Sequence, residues 1–101
     1  KARPAYQELD CYRKGKLLHK IGVSHYMLLQ DAEAITYYMQ VINDVWKECP
    51  AASPSEKANT IYNMGISYQY LDELESAKSY IDKALSIVEN DLQYPKLDLA
   101  D

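Results

Sequence analysis

The sequence predicts an all-α fold made of helix–turn–helix units. Apolar and small residues recur at steps of three and four along most of the chain, which is the spacing of one helix face. Glycine and proline are sparse, with 3 and 4 among 101 residues, whereas a β-rich fold would need more turn residues. The clearest unit spans residues 58–85, where the helical spacing breaks once, at Leu71-Asp72. We therefore expect pairs of helices that touch through small residues.

Length and composition limit residues 1–101 to a single compact module. Hydrophobic residues make up 48% and charged residues 26%, which is typical of a globular rather than a disordered chain. No apolar run approaches the roughly 20 residues of a membrane span, so no membrane partner is expected. The net charge of −4 argues against general nucleic-acid binding. Basic residues are nevertheless concentrated in residues 1–20, either as a solvated helix face or as a strip that meets an acidic partner.

The first predicted helix pair covers residues 11–50. A helical pattern runs from Asp10 to Gln30, and Pro4 would suit the first position of an earlier helix start. A second helix is expected to run from near Asp31 to about Glu48. Cys49-Pro50 should end it, because the residue before a proline avoids the α region.

The second predicted pair covers residues 53–94. Ser53, Pro54 and Glu56 form a strong start signal, in which serine caps the helix and glutamate completes a capping box. This helix should reach about Tyr70. Asp72 has the same box spacing to Glu75 and predicts a second cap, before a helix that ends near residues 90 and 91. Residues 95–101 would begin a third helix pair.

The two pairs are related by an internal repeat. Gly22 and Gly65 are 43 positions apart, and the same offset aligns most of the large and small apolar positions of the two pairs. The positions expected to hold each unit together are Leu18, Ile21, Gly22, Ala34 and Tyr38 in the first copy and Ile61, Met64, Gly65, Tyr68, Ala77, Ile81 and Ala84 in the second.

These positions resemble the tetratricopeptide repeat, strongly in the second copy and less completely in the first. The period exceeds the usual length of about 34 residues and is similar to the longer repeats of kinesin light chain and of bacterial signalling proteins. His25 stands where tyrosine is usual. The resemblance implies antiparallel helix pairs that stack into a short right-handed superhelix.

The resemblance also implies a concave groove, lined by the first helix of each pair, that binds a protein or an extended peptide. The groove positions it implies are Lys16, His19, Lys20, Val23 and Tyr26 in the first copy and Asn59, Tyr62, Asn63, Ile66 and Tyr70 in the second. The amide of Asn63 could donate to and accept from a peptide backbone. Lys16 and Lys20 share a helix face and could grip a carboxylate, although Val23 stands where a full carboxylate clamp would need asparagine.

The expected function is therefore that of a protein- or peptide-binding scaffold module. Because the chain begins at Lys1 rather than Met, we expect it to be a piece of a larger signalling or assembly protein. A second interpretation is a peptide-sensing domain that controls an attached DNA-binding, kinase or protease domain. Open repeat ends could also self-associate. No motif of an enzyme is present, and no cofactor is expected.

The histidines and cysteines give no metal-site spacing. The two cysteines, Cys11 and Cys49, are expected to be reduced and unpaired, which slightly favours a cytoplasmic setting.

Overall fold

The chain folds into four α-helices and one π-helical segment, without a strand in the part that the structure describes. The computed structural model describes the backbone of residues 4–91 and the side chains of residues 10–90. The elements are α1 (Pro4–Met27), α2 (Asp31–Met39), the π-helical segment (Gln40–Val45), α3 (Pro54–Tyr70) and α4 (Leu74–Asp91). The all-α prediction is confirmed. The predicted start of a third pair, at residues 95–101, lies outside the described residues.

The first hairpin joins α1 to α2 through a tight turn. α1 is helical from Pro4, the first described residue, and thus extends ahead of the predicted start at Asp10. It ends at Met27 rather than at Gln30, because Leu29 adopts a positive φ of 62° that no α-helix allows. The turn is therefore sharper than its weak sequence signal suggested.

α2 does not continue as an α-helix to Glu48, and that prediction is wrong. It passes into the π-helical segment, in which the Trp46 amide donates to the Val41 carbonyl five residues back at 2.7 Å. The chain then leaves the helix for a series of turns, and the amide of Cys49 donates to the Trp46 carbonyl at 3.3 Å. The helix ends early because residues 46–49 fold back against α1.

The start of α3 follows its sequence signal. Ser53 is the N-cap, and the backbone amide of Glu56 donates to its hydroxyl oxygen at 3.1 Å. The Ser53 amide donates in return to the Glu56 carboxylate at 3.1 Å, so the predicted capping box is complete. The predicted end of α3 at Tyr70 is also confirmed, and α4 is helical up to Asp91, the last described residue.

The predicted cap at Asp72 is wrong, because this residue has a φ of 65° and belongs to the turn. The Ala77 amide donates to the Glu73 carbonyl at 2.9 Å, so Glu73 directly precedes the helix. The first turn has the same bond 43 residues earlier, from the Ala34 amide to the Gln30 carbonyl at 3.0 Å. Both turns also contain one residue of positive φ at equivalent positions. The two turns therefore share one backbone geometry.

The two central glycines lie where the second helix of each hairpin packs tightly against the first. A Cβ atom at Gly22 would lie 2.6 Å from the ring of Tyr38. A Cβ atom at Gly65 would lie 2.6 Å from the Ile81 side chain and 3.2 Å from the Ala77 carbonyl oxygen. A third glycine, Gly15, has the same role against the Trp46 indole, although it is not among the repeat positions predicted from the sequence.

An aromatic pair closes each hairpin near its turn. His25 stacks on Tyr37 with ring centroids 5.3 Å apart, and Tyr68 stacks on Tyr80 at the same separation. His25 also contacts the Gln30 side chain, with 2.6 Å between Nδ1 and Oε1. Histidine therefore takes the place of tyrosine in the first copy by the same stacking contact.

Most of the repeat positions lie in the core, with one exception. Ala34, Tyr38 and Met64 form a cluster that joins the two hairpins, and Ala84 belongs to a second cluster within α3 and α4. Ile21 was expected to pack but is 40% exposed. Its counterpart Met64 is buried because α2 lies beside it, whereas no described element precedes α1.

The cysteine prediction is overturned, since Cys11 and Cys49 form a disulfide with Cα atoms 6.2 Å apart. The two residues lie at nearly equal distances before and after the turn at Leu29, so the hairpin brings them opposite each other. The bond joins α1 to the segment that carries Trp46, whose ring stacks on Tyr12 at 5.9 Å. Because the thiols are joined, the cysteines no longer favour a cytoplasmic setting.

Candidate functional site

A groove of about 400 Å³ lies between α1 and α3 and is the candidate binding site. It is lined by Val23, Tyr26, Met27, Tyr38, Tyr62, Asn63, Ile66 and Tyr70. Six of these residues are groove positions named from the sequence; Met27 and Tyr38 are not. Tyr26 and Tyr70 stand across the groove from each other with ring centroids 5.9 Å apart.

The spacing of α3 explains why its four groove residues line one surface. Positions 62, 63, 66 and 70 lie on one face of a helix, since residues three and four apart are neighbours. Tyr38 comes instead from α2 and is 1% exposed, so its ring forms part of the buried floor of the groove. The sequence predicts only a packing role for Tyr38, because the resemblance implies a groove made by the first helix of each pair.

Asn63 is held by a chain of polar contacts beside the groove. Its amide nitrogen lies 3.5 Å from His19 Nε2, and His19 Nδ1 lies 2.8 Å from the Thr60 hydroxyl oxygen. An amide nitrogen only donates, so Nε2 accepts and the proton of a neutral imidazole is on Nδ1. The Thr60 hydroxyl then donates to the Glu56 carbonyl at 3.4 Å. This order of donors requires a neutral His19.

The titration properties of the same residues agree with that order. Burial, with a smaller contribution from the charge of Lys16, lowers the pKa of His19 below its usual value. Burial raises the pKa of Tyr38 to about 12, and a hydrogen bond from Asn63 partly opposes this rise. Asn63 therefore directs its amide nitrogen toward protein groups. Among the described side chains no hydrogen bond reaches its carbonyl oxygen, which can accept one from a ligand.

Three of the predicted groove residues lie in a separate, smaller cleft. Lys16, His19 and Asn59 border a space of about 30 Å³ beside Trp46, which is room for about one water molecule. Lys16 Nζ lies 3.9 Å from the carboxylate of Glu56. The lysine therefore faces an acidic group of its own chain.

Lys16 and Lys20 do not border a common cleft in the structure. Lys20 is exposed and borders neither cleft. Burial acts to raise the pKa of Glu56, but hydrogen bonds from Tyr12 and Ser53 outweigh it and lower the pKa overall. Glu56 thus stays ionised as the internal partner of Lys16.

Two negative findings apply to the described residues alone. Within residues 10–90, no group of three or more histidine, cysteine, aspartate or glutamate side chains could hold a metal ion. None of the helices within residues 4–91 has the length and apolar character needed to cross a membrane.

Comparison with protein-family models, with curated protein sequences and with solved structures finds no match to this chain.

Proposed function

We propose that this chain is a peptide-binding module of the tetratricopeptide-repeat type and is not an enzyme. The groove between α1 and α3 carries the proposal, because it combines apolar walls with one oriented amide. Such a surface suits an extended peptide, whose side chains fill apolar space while its backbone needs a few placed polar partners. The repeated turn bonds, glycine contacts and aromatic stacks support a repeat architecture that stacks into a superhelix.

The groove favours peptides with apolar or aromatic side chains. Val23 and Ile66 provide aliphatic contact, and the exposed ring of Tyr70 offers a face for stacking. The carbonyl oxygen of Asn63 is positioned to accept a hydrogen bond from a peptide N–H. In this proposal the basic face of α1 has no part in binding the peptide, because Lys16 is paired with Glu56.

Selection from a random peptide library on the immobilised chain, followed by titration calorimetry of the selected peptides, tests the proposal. We expect Asn63→Ala to weaken binding by about five- to tenfold, as loss of one net hydrogen bond of about 1 kcal/mol implies. Asn43→Ala makes the same chemical change at an exposed position outside the groove and should leave affinity unchanged.

A groove variant, Ile66→Asp, should abolish binding because it places a charge among apolar walls. Circular dichroism of each variant verifies that the helices are intact. Selected peptides that bind wild type, Asn63→Ala and Ile66→Asp equally well would show that the groove is not the site.

A further inference from the structure

A second cleft, of about 450 Å³, lies between α3 and α4 and is mostly apolar. Its lining residues are Ser55, Ala58, Asn59, Tyr62, Ile81, Ala84, Leu85 and Val88. Leu85, one of these lining residues, is 54% exposed. This cleft is distinct from the candidate peptide groove and shares only Tyr62 with it.

The 43-residue repeat shows what kind of element this cleft fits. Shifted back by 43 positions, its lining residues become Tyr12, Gly15, Lys16, His19, Tyr38, Val41, Ile42 and Val45. That surface of the first hairpin is where α3 packs. Tyr12 donates a hydrogen bond to Glu56 at 2.5 Å, His19 contacts Thr60 at 2.8 Å, and Ile42 packs on the cluster within α3 and α4. The cleft therefore corresponds to the surface on which α3 packs, and it can accommodate a helix that resembles α3.

The chain itself carries such a helix in α1. The α3 residues that contact the first hairpin include Glu56, Thr60, Ile61 and Met64. Their counterparts 43 positions earlier are Arg13, Leu17, Leu18 and Ile21. Leu17 is 63% exposed, and Ile21 is also exposed. α1 thus presents an uncovered apolar face at the positions that α3 uses for docking.

The charges on α1 and α4 also favour docking of α1 in the cleft between α3 and α4. Arg13, Lys14 and Lys20 are exposed on α1. Where α3 packs on the first hairpin, Trp46 of that hairpin and Glu56 of α3 border one small cleft. Their counterparts are Glu89, which is exposed on α4, and Arg13 on α1. A copy of α1 docked in the cleft would therefore place Arg13 of one molecule near Glu89 of another, with opposite charges.

We propose that the chain self-associates head to tail, with α1 of one copy seated in the cleft between α3 and α4 of the next. The two surfaces differ, so the contact is heterologous, and repeated addition extends the stack instead of closing it. The peptide groove has no part in this inference, and either proposal can fail alone.

Sedimentation velocity of the full chain at increasing concentration tests the proposal. Wild type should show an average mass that rises with concentration, from monomer toward longer stacks. Leu17→Asp on α1 and Leu85→Asp in the cleft should each stay monomeric, because a charge is placed in the apolar contact. Leu74→Asp, at an exposed leucine outside both surfaces, should associate as wild type does.

The decisive measurement is an equimolar mixture of Leu17→Asp and Leu85→Asp. Each variant retains one intact surface, so the mixture should form a dimer and stop there. Wild type that is monomeric at all concentrations overturns the proposal, as does a mixture that does not dimerise. A third result would also overturn the proposal. If wild type is monomeric and Leu85→Asp melts at a lower temperature than wild type, the cleft is covered by another part of the same chain.

Discussion

Reduction of the disulfide should greatly destabilise the fold. The bond between Cys11 and Cys49 closes a loop with a sequence separation of 38. Loop-closure entropy for this length corresponds to about 4 kcal/mol at 25 °C. A domain of this size has a total stability of only about 5–15 kcal/mol. Loss of this bond is therefore expected to remove a large fraction of the free energy of unfolding.

Urea denaturation followed by circular dichroism, with and without reductant, measures the effect. With a denaturant slope of about 1–3 kcal/mol/M, the midpoint should fall by roughly 1–4 M on reduction. The double variant Cys11→Ser/Cys49→Ser should unfold near the reduced midpoint and should be insensitive to reductant. That variant separates the effect of the bond from any direct effect of the reductant.

Two results would refute this reasoning. Equal midpoints for oxidised and reduced wild type would show that the cross-link does not constrain the unfolded chain. Alkylation of both Cys11 and Cys49 in the native, unreduced protein would show that the bond is absent.

Three further predictions concern packing, pH and capping. Gly65→Leu should destabilise the fold by about 3 kcal/mol or more, because the new side chain must displace Ile81. The control Ser79→Leu, at an exposed site of α4, should leave stability unchanged. Equal melting temperatures of the two variants would contradict this prediction. Since the pKa of His19 is lowered in the folded chain, the unfolded chain binds the proton first, and stability should fall as the pH drops below about 6.5. In His19→Gln this loss should be smaller. Urea midpoints at pH 7.5 and pH 5.5, measured for wild type and for the variant, test this. An equal change in midpoint in both proteins would show that His19 is not the group responsible. Ser53→Ala should cost about 1 kcal/mol through loss of the cap, against no loss for Ser79→Ala in the same assay.

The features predicted well from the sequence are those that local chemistry decides. The box formed by Ser53 and Glu56 needs only residues three apart, and α3 begins where it predicts. Gly22 and Gly65 indicated close helix contacts because glycine inside a helix has a cost that only packing offsets. His25 was recognised as a replacement for tyrosine by its place in the repeat, and it stacks as Tyr68 does.

The candidate site was predicted in part. Positions of α3 such as Asn63 and Ile66 lie in the groove, because helical periodicity alone places them on one face. Lys16 was assigned to the same groove, but the charge of Glu56, 40 residues away in the chain, draws it into another cleft. Tyr38 was missed as a groove residue because its position depends on how α2 lies under α1 and α3.

The sequence by itself determined the helical class, the bounds of α3 and the 43-residue repeat, since these follow from periodicity and from contacts between residues close in the chain. Only the tertiary structure decided the bond between Cys11 and Cys49, the π-helical segment and the exposure of Ile21. Each of these depends on which surfaces meet across a hairpin or on whether a neighbouring helix is present. A period of three to four residues specifies which face of a helix is apolar, but the packing of whole helices specifies what that face contacts.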